Sequence, residues 1–446
     1  MNEQNKTADG SAEDEKNTAE RVITVAVAGL GPRGNAYSAA LGHFKDRAKI
    51  VACADVLPDR VERFGDRYDV PREMRFPSAE EMLKRGRLAD VLIVATPDRH
   101  HFAHASAALD AGCHLLLEKP VSPVLSECFE LADKAQKKSR RVIVCHVLRY
   151  TAFYRRLKQL VDSGVIGDIV SIKADEKVGY WHQAHSFVRG NWANSEKSSP
   201  MILQKCCHDM DIFHWLVGRR CAAVSSFGSL THFKPSEAPK GAPERCTEAC
   251  PEYHTCPYSV ECSYIESAKD GYFGWPNDVV TQIPTMEALL ESLETGPYGR
   301  CVYHCDNDVV DHQVVNLLFE GGATLSFTMC AFDSGEGRET HVMGTKGEII
   351  ADNGKDSIKV NVFRGKCEVY ESVSSQAVGS GHGGGDFGIV RDLVSLIEGG
   401  NDASSSMTDI SETLESHVIA LAAEESRKNG GALVDTADFV SRMRRT

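Results

Sequence analysis

The chain has 446 residues, 42% hydrophobic and 25% charged, with a formal net charge of −13. That length exceeds one ordinary core and sets two domains as the expectation. The acidic balance speaks against nucleic acid or an anionic membrane as partner, and no run of about 18 apolar residues offers a membrane span.

Residues 1–20 hold six acids and two lysines. They show no apolar periodicity and read as a disordered acidic tail without the apolar core of a leader peptide. Fifteen cysteines, an odd number, then point to a reducing, cytoplasmic setting with most thiols buried and unpaired. From Val22 apolar runs alternate with helical stretches: VITVAVA (22–28), KIVACA (49–54), DVLIVA (90–95), HLLLE (114–118) and RVIVCHV (141–147). Near-continuous apolar strands separated by helices predict a parallel sheet covered on both faces.

The first strand runs into AGLGPRGNAY, where Gly29, Gly31 and Gly34 form G-x-G-x-x-G. The first glycine permits the tight turn, the second admits a pyrophosphate to the backbone, and the third lets helix and strand pack. Asp55 ends the second strand, where a carboxylate accepts from ribose hydroxyls. Val56 follows it rather than a base, which favours NAD over NADP. Ligands bind outside the carboxyl ends of such strands. Thr96-Pro97-Asp98-Arg99-His100-His101 and Glu118-Lys119-Pro120 stand at two of those ends. The alternative for Glu118 and Lys119 is a pair of solvated loop charges.

These motifs, in this order over roughly residues 21–150, resemble those of the Gfo/Idh/MocA oxidoreductases. The resemblance implies an NAD-binding Rossmann domain over 21–149, a doubly wound parallel sheet, with cofactor contacts from Gly29, Gly31, Arg33, Gly34, Asp55, Thr96, Pro97, His101, Glu118 and Lys119. It also implies a C-terminal α+β domain over 150–446, built on an open, mostly antiparallel sheet. Period-two alternation supports strands at 309–320, 323–332, 348–352 and 358–365. In ATLSFTMCAF, Leu325, Phe327 and Met329 face one way and Thr324, Ser326 and Thr328 the other. Two helices, at about 386–398 and 410–428, close the chain. The wet face of such a sheet implies a homo-oligomer.

SPMILQKCCHDMDIFHWLVG reads as one helix from Pro200 to Gly218. At 100° per residue Gln204, His208, Asp211 and Trp215 fall on one stripe with Lys205 at its margin. The resemblance places the catalytic histidine at His208. It also places an aspartate, in many members, where this chain has Gln204, so that Asp211 or Lys205 has to compensate. The bland alternative is a core histidine satisfied by hydrogen bonds. Cys206 and Cys207 read as helix packing. VGYWHQAHSFVRGNW gathers Tyr180, His182, His185, Arg189 and Trp192, a mixture suited to a polyol, and GSGHGGGDFG adds His382 and Asp386, the latter equally a helix cap. Arg149, Tyr180, His182, Arg189, Gln204, Lys205 and His382 are thus the candidate substrate contacts.

An insert over about 234–300 carries Cys246, Cys250, Cys256 and Cys262. Four thiols in 17 residues suggest a structural zinc staple, and free buried thiols are the alternative. Three functions follow. The first is an NAD-dependent dehydrogenase of a sugar, polyol or related hydroxy compound, with Lys119 and His208 as the acid–base pair. The second is an NAD-dependent glycoside hydrolase working by transient oxidation and elimination. The third is a non-enzymatic NAD sensor.

Overall fold

The computed structural model describes residues 22–376, 382–399 and 404–445, so the acidic tail lies outside the described residues. Six strands form a parallel sheet: β1 (Ile23–Ala28), β2 (Ala48–Ala54), β3 (Arg75–Phe76), β4 (Val91–Val94), β5 (His114–Leu117) and β6 (Val142–Val144). Their order is β3-β2-β1-β4-β5-β6, with the chain reversing direction across the sheet between β1 and β4. That reversal opens the crevice in which such sheets bind ligands.

Both faces of this sheet are dry, as uninterrupted apolar strands require. Val27, Ile93, Leu116 and Ile143 point to one face, and Ala26, Leu92, Leu115 and Val142 to the other. The first face is covered by Tyr37 and Leu41 of the helix Pro32–Leu41, and by Ile389, Val390 and Leu393 from the far end of the chain. The second is covered by the helices His101–Asp110 and Leu125–Lys137. Packing therefore crosses the boundary expected at Arg149. The chain also returns at Thr408, whose carbonyl accepts from Val144 N at 2.9 Å. β6 is shorter than the run 141–147, because His146 turns away into the 3-10 segment Val147–Tyr150.

The second sheet has nine strands: β7 (Ile169–Gly179), β8 (Cys221–Ser229), β9 (His312–Phe319), β10 (Thr324–Asp333), β11 (Gly337–Gly344), β12 (Gly347–Asp352), β13 (Ser357–Val362), β14 (Cys367–Glu371) and β15 (Val434–Asp435). Their order is β14-β13-β12-β11-β7-β10-β9-β8-β15. β7 and β10 run parallel and the other neighbours antiparallel. Leu325, Phe327 and Met329 are buried while Thr324 and Ser326 are exposed, as the period-two reading of β10 anticipates. β11 is mostly polar and half-buried, so its sequence carries no such alternation of apolar residues.

The single helix expected over 200–218 is two: Met201–Gln204 and Cys207–Val217. The break falls at Lys205 and Cys206. Beside it the Gln204 carbonyl accepts from Lys119 Nζ at 2.6 Å. The stripe joining Gln204 to His208 thus loses its helical register, and Gln204 offers the site its carbonyl oxygen. Gly218 ends the second helix in the left-handed region (φ 65°), as a glycine stop should.

Candidate active site

The glycine turn has the shape of a phosphate cradle. A Cβ at Gly29 (φ +88°) would stand 2.4 Å from Ala95 O, and one at Gly34 would stand 2.0 Å from Gly29 O. At Gly31 the nearest atom would be Arg60 Nη1, 3.8 Å away. Two glycines are therefore demanded by packing, while the third faces free space at a helix N-terminus, where an anion is favoured. Asp55 is buried and holds the turn: Oδ2 accepts from Leu30 N at 2.7 Å and Oδ1 from Leu57 N at 2.9 Å. Arg60 Nη1 lies 3.8 Å from the same carboxylate. Arg60 was not foreseen, because only the residue directly after Asp55 was weighed.

The other strand ends are fastened to one another. His101 bonds the Pro120 carbonyl through Nδ1 and the Thr96 carbonyl through Nε2, both at 2.6 Å. It braces the two loops that carry Pro97 and Lys119. Thr96 Oγ1 meets His104 Nδ1 at 3.0 Å. Asp98, also unforeseen, accepts from Ser198 Oγ and Ser199 Oγ at 2.9 and 2.8 Å. It thereby ties the fourth strand end to the segment leading into the His208 helix.

Glu118 is not a solvated loop charge. It is 6% exposed and accepts from Tyr37 Oη at 2.6 Å and from Arg33 Nε at 2.7 Å. Burial pushes its carboxyl upward, yet the Arg33 and Lys119 charges and the Tyr37 hydroxyl hold it below the ordinary range. Arg33 continues to Asp386 Oδ1 at 2.7 Å. His382 Nδ1 stands 3.2 Å from both Arg33 Nη1 and Asp386 Oδ2. Arg33, expected at the cofactor, is thus the hub of an ion network that pins Asp386 of the returning helix Gly385–Ile397 to the fifth strand end. Asp386 forms no side-chain cap on that helix.

Lys119 bonds the Gln204 carbonyl four residues before His208, and its charge is felt at that imidazole. The half-buried imidazole of His208 is held well below its ordinary pKa, first by burial and then by the charge of Lys119, with His146, Arg338 and His382 adding to the effect. Its Nδ1 is buried without a hydrogen-bond partner. The His146 ring stands edge-on to it, centroids 5.7 Å apart. His146, at the end of β6, is fully buried, and burial depresses it to about 4. It was overlooked in the sequence, although it stands at the strand end where ligands bind.

The acids near His208 are already engaged. Asp211, one candidate to replace the aspartate absent at Gln204, receives Arg149 Nε and Nη2 at 2.7 and 2.6 Å, and both residues are buried. Arg149, expected at substrate, is held in that pair. Asp209 and Glu176 share Arg338, whose Nε lies 2.7 Å from each. Lys205 reaches Glu176 at 3.4 Å. His182 pairs with Glu336 and packs on Trp181 and Trp275. Glu176, Glu336 and Arg338 carried no motif, since their partners are remote in sequence.

Two expectations move away from this centre. Tyr180 packs on Tyr258, centroids 6.0 Å apart. Arg189 is buried in the cysteine insert, with Nε donating to Arg300 O and Nη2 to Tyr258 O, both at 2.7 Å. The four-thiol set is also altered: Cys246, Cys250 and Cys256 line one cavity with Cys301, whereas Cys262 is exposed and donates to Pro257 O. The fourth thiol comes from beyond the insert's expected end at 300, where spacing counts within 246–262 could not find it.

A glycine turn open at Gly31 on a helix N-terminus, at the crevice of a doubly wound parallel sheet, is the architecture of a dinucleotide-binding domain. The family model described as "Oxidoreductase family, NAD-binding Rossmann fold" matches residues 23–146, and that described as "Oxidoreductase family, C-terminal alpha/beta domain" matches 158–435. The chain belongs to the Gfo/Idh/MocA family. It is 25% identical over 367 residues to the putative oxidoreductase YteT of Bacillus subtilis, covering 78% of this chain and 83% of that one. It is 28% identical over 192 residues to glucose-6-phosphate 3-dehydrogenase of the same organism, covering 43% of this chain and 53% of that one. The inositol dehydrogenase homolog of Azotobacter vinelandii, solved with NAD+, has the same fold, with a TM-score of 0.67 at 16% identity over 93% of this chain and 97% of that one. Among the described residues no helix is long and apolar enough to cross a membrane.

Proposed function

We propose that this oxidoreductase is an NAD-dependent dehydrogenase of a sugar, polyol or related hydroxy compound, with Lys119 and His208 as its acid–base pair. The observation that carries this reading is the hydrogen bond from Lys119 Nζ, at the fifth strand end, to the carbonyl of Gln204, four residues before His208 in the other half. NAD, when bound, supplies the hydride acceptor. The turn shaped by Gly29 and Gly34 would hold its pyrophosphate at Gly31 and Asp55 its ribose, and the open space over Gly31 fits that group.

His208 is neutral at working pH and takes the hydroxyl proton as base. Lys119 donates to the same oxygen and stabilises the alkoxide character that develops as hydride leaves. Its hydrogen bond to the Gln204 carbonyl fixes the ammonium without neutralising it, which a carboxylate at that place would do. His182, Lys205 and His382 bring polar groups to the surrounding wall, suited to a polyhydroxy substrate. Asp55, with no base next to it in sequence, favours NAD over NADP. The exposed face of the second sheet carries Phe227, Leu318 and Ile350, a surface for self-association in the cytoplasm.

The test is a panel of polyols, aldoses, sugar phosphates and aryl glycosides with NAD and NADP, read at the nicotinamide absorbance. NADH formation with a polyol or sugar, abolished by Lys119→Ala, supports the dehydrogenase. Aglycone release without net NADH would replace it by the glycoside-hydrolase reading. NAD binding with neither product would leave only a sensor.

A further inference from the structure

The cysteine insert has its own organisation. Its two ends are stitched by an antiparallel bridge between Arg245 and Arg300, with Cys246 N donating to Gly299 O at 3.0 Å and Cys301 N to Glu244 O at 2.9 Å. Cys246 and Cys301 therefore flank one stem. Cys250 and Cys256 come back to the same place, and the four thiols line a cavity of about 20 Å³. Apolar support is split into two separate clusters, one around Val260, Tyr264, Leu289 and Leu293 and another around Val188, Phe233 and Val302. The four thiols lie where a metal would staple the stem to the loop between them.

Arg189 lines the same cavity and is 4% exposed. Its Nη2 reaches Cys246 Sγ at 3.5 Å, and its Nη1 is buried without a hydrogen-bond partner. Among the described residues no carboxylate pairs with this guanidinium. A buried, uncompensated cation is costly, and metal-bound thiolates would supply the missing negative charge.

We infer that Cys246, Cys250, Cys256 and Cys301 bind a thiophilic metal centre, with Arg189 as its buried counter-charge and Cys262 outside the ligand set. The ligand chemistry admits one zinc ion or an iron–sulfur cluster. No three of these sulfurs lie within 4.8 Å of one another, whereas a single tetrahedral zinc would draw them to about 3.8 Å. A zinc ion would thus pull the stem and loop inward, whereas a cluster, far larger than the 20 Å³ between the thiols, would have to push them apart. Binding converts thiols to thiolates, their protons leave to solvent, and no electron is transferred. The staple would fix the insert against His185, which bonds Tyr264 Oη at 3.0 Å and stacks on Tyr298 at 4.8 Å. It would hold the 180–189 wall and take no part in catalysis.

The experiment is elemental analysis, acid-labile sulfide assay and visible spectroscopy of the full chain, purified anaerobically without chelator. About one zinc per chain, or about four irons with sulfide and visible absorbance, supports the centre and identifies its kind. Cys301→Ser should lower retained metal about tenfold or more, Arg189→Gln should lower it about tenfold, and Cys262→Ser should leave it unchanged. Cys301→His, which restores a ligand, should keep the metal if the serine variant fails to fold. Metal-free wild-type protein, or metal retained in Cys301→Ser and lost in Cys262→Ser, overturns the inference.

Discussion

The two sheets put their polar groups in opposite places. In the parallel sheet the central strands β4, β5 and β6 carry no Asp, Glu, Lys or Arg, and charge gathers beyond the carboxyl ends of the sheet, at Asp55, Glu118 and Lys119. In the nine-stranded sheet charge lies within the strands, with Glu176 on β7 and Arg338 on β11 directly opposite one another. A change at a strand end should therefore disturb chemistry and spare the core. A change inside the second sheet should disturb both, because the same side chains shape the pocket wall and satisfy buried charge.

The sharpest way to break this contrast is to compare one residue from each sheet. Arg338→Ala leaves Glu176 and Asp209 buried without their partner, and about 3–5 kcal/mol of stability should go. Chemical denaturation measures it, and activity should fall alongside. Lys119→Ala should cut turnover by about 10²–10⁴ with an unchanged denaturation midpoint and NAD still bound. A large stability loss in that variant would erase the distinction.

His146 extends the contrast to pH. Burial holds its folded pKa at about 4, below the unfolded value of about 6.5. Above pH 6.5 both states are neutral and the group has no effect. As pH falls from 6.5 to 4 the unfolded chain takes up the proton first, and stability should drop by about 3 kcal/mol. His146→Gln should make that limb shallower in urea titrations between pH 7 and 4.5, with His114, His185, His208 and His417, likewise lowered by burial, supplying the remaining slope. The smallest effect is expected at Asp55. Asp55→Asn keeps an acceptor for only one of Leu30 N and Leu57 N and loses the charge. NAD affinity should weaken by about 1–3 kcal/mol, with the NADP-to-NAD ratio rising beside Arg60, as calorimetry with each nucleotide would show.

The first sheet was readable from sequence because its information is local. An apolar run followed by Gly29-x-Gly31 or Glu118-Lys119-Pro120 declares both a strand and its functional end within ten residues. The second half was readable as a kind of sheet but not as a site. Arg338 meets Asp209 across 129 positions, and nothing near either residue announces the other. The break at Lys205 and Cys206 was hidden for a related reason. Its apolar neighbours are good helix formers, and the interruption lies where Lys119, from another element, takes the Gln204 carbonyl. Arg189 looked like a pocket residue because polar and aromatic residues surround it in sequence, yet its partners Tyr258 and Arg300 belong to the insert.

The returning helix Gly385–Ile397 has a consequence for how the protein is made. Ile389, Val390 and Leu393 complete the apolar cover over Val27, Ile93 and Ile143. About 240 residues must therefore leave the ribosome after β6 before that cover arrives. At about 5–20 residues per second the nascent parallel sheet waits roughly 12–50 s with one face only partly covered, an interval in which a holdase chaperone would find its natural client.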